Sequence, residues 1–331
     1  RERVAVFDQT SFAKFVVAGR DAEQALSWIC AGDVRRPRGR LVYSQMLNTR
    51  GGIECDLTVT KLGEDHYYVI SAAGTENHDL AWIEYHLPKD GSVRLDNVTC
   101  RYGVLTIAGP RSRDLLQALT KADCSNEAFR FFLCRDLVVG MAPVRALRVS
   151  YVGELGYELH HPLEYQRHLY DLLMAEGAQY EIVDFGYRAL DAMRLEKAYR
   201  LWGVDISADY TPIEAGLERF VDFDKGDFIG RDALVKQKEQ GATKGLACLV
   251  IDSDDCDAHG YEPVRAGRDI IGYVAAGGYG PVVEKSIGLA YLPTDFLAPG
   301  TELSVELVGK ERTATVVEQP LYDPENKKLL S

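Results

Sequence analysis

Residues 53–61 constrain this chain more than any other stretch. Ile53, Cys55, Leu57 and Val59 are apolar, while Glu54, Asp56, Thr58 and Thr60 are polar. That period of two fits a β-strand with one buried face and excludes a helix. Residues 41–47 form a second strand-like run, and Asn48-Thr49-Arg50-Gly51-Gly52 between the two reads as a glycine-containing hairpin loop. By pattern alone the polar face is solvent-exposed surface, because antiparallel sheets commonly turn one side to water. The alternative is that Asp56 lines a pocket, where its carboxylate accepts a proton or holds an amine.

Further strands are predicted at 4–7, 14–17, 67–71 and 103–108, and helices at 21–29, 77–87, 112–119, 164–176 and 187–201. Leu80, Ile83 and Leu87 carry the helical spacing in the second of these, and Pro110 stands near the first turn of the third, where proline is tolerated. From about residue 242 only short β runs follow, at 247–251, 273–276, 288–291, 303–308 and 313–317. They predict a small C-terminal barrel or sandwich. Strands and helices mixed before an all-β end give an α+β chain, and 331 residues suffice for two or three domains.

Two other segments group side chains capable of chemistry. If Gly153-Glu154-Leu155-Gly156 is the loop of a hairpin over 147–161, Tyr151 falls directly opposite Glu158. A ring beside a carboxylate can stack a planar heterocycle and accept its N–H groups; a packed tyrosine near an exposed glutamate is the plainer alternative. In the helix 187–201, Arg188, Leu195 and Tyr199 share one face, with Asp191 and Ala192 between them. That stripe is either a structural ion-pair network or a pocket wall.

Composition narrows the partners. Lysine and arginine number 38 against 50 aspartate and glutamate, a net charge of -12 that repels nucleic acid and anionic lipid. No apolar run approaches the roughly 18 residues of a membrane span. The seven cysteines are widely spaced without CxxC, so neither a disulfide framework nor a zinc site is indicated, and a reducing compartment fits best. No metal ligands are assigned: His160 and His161 are adjacent and point to opposite faces, and Cys256 breaks the acidic run 252–257 as a calcium loop. Phosphate-loop, dinucleotide GxGxxG, HExxH and GxSxG signatures are absent. The chain opens at Arg1 on a strand-like run, which leads us to expect further sequence upstream.

At these same segments the chain resembles the tetrahydrofolate-binding aminomethyltransferase family, comprising the glycine-cleavage T-protein and the C-terminal halves of dimethylglycine and sarcosine dehydrogenases. The matching stretches are Val4-Ala-Val-Phe-Asp-Gln-Thr-Ser11, Tyr43-Ser-Gln-Met-Leu-Asn48, Arg50-Gly-Gly-Ile-Glu-Cys-Asp-Leu-Thr-Val59, Tyr151-Val-Gly-Glu-Leu-Gly-Tyr-Glu158 and Arg194-Leu-Glu-Lys-Ala-Tyr-Arg-Leu-Trp-Gly203. Asp227-Phe-Ile-Gly-Arg231 and Gly277-Gly-Tyr-Gly280 extend the likeness into the C-terminal part. Asp33-Val-Arg-Arg-Pro37, Ser125-Asn-Glu-Ala-Phe129 and Asp323-Pro-Glu-Asn-Lys-Lys328 look most like sarcosine dehydrogenases.

The resemblance implies a three-domain aminomethyltransferase fold around a central folate pocket. Residues 1–240 would form the folate-binding region, as two interleaved subdomains of about 1–45 with 145–240, and 46–144; residues 241–331 would form the β-barrel. It implies that Asp56 sits at the reactive folate nitrogens and is required for transfer, that Tyr43 is a pocket aromatic, that Tyr151 and Glu158 hold the pterin, and that Tyr199 adds another pocket tyrosine. The position that the family fills with arginine is Leu190 here, and Arg188, two residues earlier, is the candidate replacement. The implied activity is capture of an iminium or formaldehyde unit from a small methylated amine as 5,10-methylenetetrahydrofolate. FAD would belong to an upstream domain, and the compartment would be bacterial cytoplasm or mitochondrial matrix. A free-standing aminomethyltransferase or demethylase and a non-catalytic regulatory paralogue share the resemblance. The assembly-factor branch carries a KGCxxGQE-type signature, where this chain has Asp224-Lys-Gly-Asp-Phe-Ile-Gly-Arg231 without cysteine.

Overall fold

The computed structural model describes residues 1–331. In chain order it begins β1 (Ala5–Asp8), β2 (Ala13–Ala18), α1 (Ala22–Ile29), β3 (Leu41–Leu47), β4 (Ile53–Gly63), β5 (His66–Ser71), α2 (Glu76–His86), β6 (Arg94–Asn97), β7 (Tyr102–Ala108) and α3 (Ser112–Leu119). It continues β8 (Cys134–Val139), β9 (Ala142–Leu147), β10 (Gly156–Pro162), α4 (Gln166–Gly177), β11 (Val183–Asp184), α5 (Tyr187–Glu196) and α6 (Arg231–Gln240). The last part is β12 (Lys244–Ile251), β13 (Pro263–Ala266), β14 (Asp269–Gly280), β15 (Lys285–Pro293), β16 (Glu302–Leu307) and β17 (Lys310–Val317).

Strand β4 and its apolar residues show how the layers arise. Cys55, Leu57 and Val59 join Phe15, Val17 and Val69 in a core closed by Leu26 and Ile29 of α1 and Ile83 of α2. This covers one face of a five-stranded sheet ordered β3-β4-β5-β2-β6. A six-stranded sheet ordered β11-β1-β7-β10-β9-β8 does the same, burying Leu105, Ile107 and Leu159 against Leu115 and Leu116 of α3 and Leu169 and Leu173 of α4. Each such buried side chain contributes about 1.5–3 kcal/mol. The remaining two sheet faces meet each other: Leu41, Tyr68 and Ile70 pack with Cys134 and Leu147, and the Tyr68 hydroxyl pairs with His160 Nδ1 at 3.0 Å. The layers therefore run helices, sheet, sheet, helices.

This arrangement corrects the simplest reading of the β4 polar face. It is not open surface: Thr60 is buried and Glu54, Asp56 and Thr58 are half-buried; the second sheet packs over this face near Tyr68, while Glu54 meets Asn48 and His78 and Asp56 meets Tyr43. The hairpin loop before β4 forms as expected. Asn48 Oδ1 accepts from the Arg50 and Gly52 amides, and Gly51 has φ +84°. A Cβ on Gly52 would stand 2.0 Å from the Ala208 carbonyl oxygen, so the loop needs glycine there.

The sheets do not divide the chain at about 45 and 145. β2 to β6 all belong to the five-stranded sheet, inserted between β1 and β7 of the other, so the seams fall near residues 9–12 and 98–101. β12 to β17 close into a barrel around Leu249, Val264, Val274 and Val305. The barrel is held to the two-sheet body at the end of α5, where Leu195 and Ala198 pack on Ala275, Ile287 and Leu289. Glu196 Oε1 there accepts from the Val282 and Val283 amides, while its other oxygen pairs with Arg1 at 2.6 Å.

Candidate functional site

Pairing between β3 and β4 sets Tyr43 opposite Thr58 and Gln45 opposite Asp56, so all four side chains point into the space between the sheets. Tyr43 donates its hydroxyl to Asp56 Oδ2 at 3.0 Å, and its ring meets Phe220 edge-on with centroids 4.8 Å apart. Burial pushes the Asp56 carboxyl up to about 6; the Tyr43 hydrogen bond pulls it back and the charge of Asp79 adds to the rise. Asp56 is thus mainly ionised at neutral pH yet close enough to its pKa to exchange a proton, the property a general base needs. Burial, then the Asp56 charge, hold the Tyr43 phenol well above its ordinary value, so it remains a donor.

Tyr151 and Tyr199 reach the same space by routes the sequence pattern did not give. β9 ends at Leu147, and β10 sets Glu158 opposite Leu147 and Thr106, not opposite Tyr151. The chain peels away at buried Arg148, whose guanidinium binds the carbonyls of Phe129, Leu330 and Ser331, leaving residues 148–155 irregular. α5 likewise stops at Glu196 and does not run to residue 201. Ala198 turns left-handed at φ +52°, with Ala198 N–H bonded to Leu195 O and Tyr199 N–H to Arg194 O, a Schellman ending. Tyr199 therefore owes its place to that turn, and the rings of Tyr151 and Tyr199 lie nearly parallel, 23° apart with centroids at 6.1 Å. The Tyr151 hydroxyl donates to the Arg200 carbonyl at 2.8 Å. Burial raises its phenol well above the ordinary value, and the Asp56 charge adds to the shift, as expected for neighbours in one cleft.

Glu158 occupies another part of the inter-sheet space. Its Oε2 lies 3.2 Å from His160 Nε2, and the same imidazole meets Tyr68. Burial lowers the His160 pKa, so the ring is neutral at pH 7. Tyr68 stands opposite Thr60, about 13 Å along β4 from Asp56 at ~3.3 Å per residue, so the Tyr68–His160–Glu158 chain lies along the inter-sheet space from Asp56. Arg188 is not brought to it: the side chain is exposed on the first turn of α5 and makes no hydrogen bond or ion pair.

Gln45, Arg194 and Arg200 are the residues that sequence reasoning left out. Arg194 is buried, paired with Asp205 and Asp191, and donates to the Tyr199 carbonyl at 3.1 Å. Gln45 was legible in principle, from its register with Asp56 across the hairpin. A surface cavity of about 690 Å³ lies elsewhere, lined by Phe7, Leu105, Tyr170 and Phe185, and contains none of these residues. No three His, Cys, Asp or Glu side chains gather to hold a metal ion, and no helix is long and apolar enough to cross a membrane.

Fold and site together define a class: an α+β protein of two facing sheets and a closed barrel, with a largely buried carboxylate beside aromatic rings between the sheets. The chain belongs to the glycine-cleavage T-protein family, matching the GCVT N-terminal domain over residues 1–225 and the glycine cleavage T-protein C-terminal barrel domain over residues 244–323. It is 40% identical over 322 residues to mitochondrial dimethylglycine dehydrogenase of Mus musculus, which covers 97% of this chain but 37% of that protein. Mitochondrial sarcosine dehydrogenase of Mus musculus is 36% identical over 352 residues, 99% of this chain and 38% of that protein. The dimethylglycine enzyme is thus the more similar of these two, the reverse of what the short motifs indicated. Glycine cleavage system aminomethyltransferase T from Bartonella henselae superposes with a TM-score of 0.88 at 26% identity, over 98% of this chain and 88% of that one.

Proposed function

We propose that this chain is the tetrahydrofolate-binding, one-carbon-transfer part of a demethylating amine dehydrogenase of the dimethylglycine and sarcosine type. It captures an iminium or formaldehyde unit as 5,10-methylenetetrahydrofolate. The observation that carries this reading is the half-buried Asp56 carboxyl, raised to about 6 and held by Tyr43 in a cleft walled by Tyr151. Asp56 would orient the attacking folate nitrogen and take its proton, while Tyr43 fixes the carboxylate rotamer. Tyr151 and Tyr199 offer ring faces to a flat heterocycle, and Glu158 along the inter-sheet space offers a carboxylate to its N–H donors.

A flavin would supply the oxidation of the methylated amine, and these residues do not fit one. The sole parallel strand pair, β1 with β11, spans two register positions and lacks a glycine-rich turn into a helix. On this reading FAD and the amine site would belong to a separate flavin domain, and the protein to bacterial cytoplasm or mitochondrial matrix. The test is Asp56→Asn. Tetrahydrofolate binding, followed by tyrosine and tryptophan fluorescence, should stay within a few-fold of wild type, while methylenetetrahydrofolate formation is abolished; undiminished formation refutes the assignment. A second reading, a free-standing aminomethyltransferase, is favoured by the superposition over 88% of the Bartonella henselae chain. It requires full turnover with no flavin partner added. A regulatory paralogue would show no saturable folate binding at all.

A further inference from the structure

Gln45 is wholly buried; its amide approaches the Tyr43 hydroxyl, and neither its Nε2 nor its Oε1 reaches full hydrogen-bond geometry with any group of the protein. Its cross-strand partner is Asp56, so the two side chains project together from the hairpin into the cleft, with Cβ atoms about 5 Å apart. Tyr43 spends its proton on Asp56, so its oxygen can only accept from the Gln45 Nε2, and the Gln45 Oε1 is left without a donor. A buried amide left incompletely paired is costly, and natural folds rarely keep one that nothing completes. Its planar end offers N–H donors on one side and an acceptor on the other.

A tetrahydropterin presents the complementary edge next to its reacting nitrogen. The ring carbonyl is an acceptor, and the adjacent reduced ring nitrogen carries a hydrogen. Resting on the folate reading above, we propose that Gln45 reads the oxidation state of the bound pterin, donating to that carbonyl and accepting from that N–H. In fully oxidised folate the same nitrogen has no hydrogen and presents a lone pair, so two acceptors face each other. Polar sites built for a missing N–H discriminate strongly, which makes Gln45 a specificity residue, separate from the proton-accepting Asp56.

The test compares wild type with Gln45→Met, of similar length and apolar, and with Gln45→Asn, which keeps the chemistry but withdraws its reach. Tetrahydrofolate and folic acid are titrated anaerobically, and the Tm of the free protein is measured. Wild type should prefer tetrahydrofolate by about tenfold or more; both variants should lose about tenfold for tetrahydrofolate and little for folic acid. Gln45→Met should melt at or above the wild-type temperature, because an incompletely paired amide has been removed. A lowered Tm with unchanged binding would assign Gln45 to structure and overturn the proposal. So would equal loss for both ligands, which marks a packing effect. If wild type binds and the variants bind alike, the inference fails alone; if wild type binds neither ligand, the folate reading fails and takes it along.

Discussion

Asp56→Asn should stabilise the free protein while removing its chemistry. The folded carboxyl titrates at about 6 instead of 3.8, chiefly because burial penalises its charge. Between those values the folded chain binds more protons than the unfolded chain, so stability falls as pH rises through the window and stays lower above it. At about 1.4 kcal/mol per unit, ionised Asp56 costs up to ~3 kcal/mol. Its residual contact with solvent brings the expected gain from removing the charge to about 1–2 kcal/mol. The asparagine carbonyl can still accept from Tyr43, so little else is lost. Urea denaturation of both proteins at about pH 7.5 and about pH 4.5 measures the effect. The advantage should be full at the higher pH and fall to about a third of that at the lower, where the unfolded carboxyl is still mostly ionised. An asparagine variant that is less stable at neutral pH, or equally advantaged at both, would refute the view that Asp56 is held charged against a burial penalty.

Three further outcomes follow from the same geometry. One-carbon capture should fall away as Asp56 protonates, with an acid limb near pH 6, and Tyr43→Phe should move that limb upward by removing the bond that holds the carboxyl down; a pH–rate profile reads both. Arg194→Met should cost about 3–5 kcal/mol in chemical denaturation, because buried Asp205 loses its partner and the Tyr199 carbonyl its donor. Arg188→Ala should leave folate affinity within about twofold in a fluorescence titration, since the exposed side chain contacts nothing in the cleft.

Local periodicity found the elements whose causes are local. The alternation of β4, the loop at Asn48 to Gly52 and the helix Ser112–Leu119 all appear where the pattern put them. What covers an element was less legible. The β4 polar face looked like surface because the sheet that packs over part of it comes from β7, β9 and β10, far along the chain. The strand expected through Tyr151 fails at Arg148, whose partners include carbonyls at Leu330 and Ser331. The helix expected through Tyr199 ends on a left-handed alanine, with no glycine to signal it. Of the site residues, Asp56, Tyr43, Tyr151 and Tyr199 converge for reasons their spacing did not contain, while Arg188 shows that sharing a helical stripe does not place a residue in a cleft.

The insertion of one sheet between β1 and β7 of the other has a thermodynamic consequence. The cleft is the property of neither sheet, since Asp56 and Tyr43 come from one and Glu158 from the other. Folding β2 to β6 shortens the loop that must close before β1 can meet β7, so the inserted unit lowers the entropic cost of completing its host. Any molecule that spans Asp56 and Glu158 then acts as a tie across the joint between them. It stabilises their docking by mass action, in proportion to the logarithm of its concentration over its Kd.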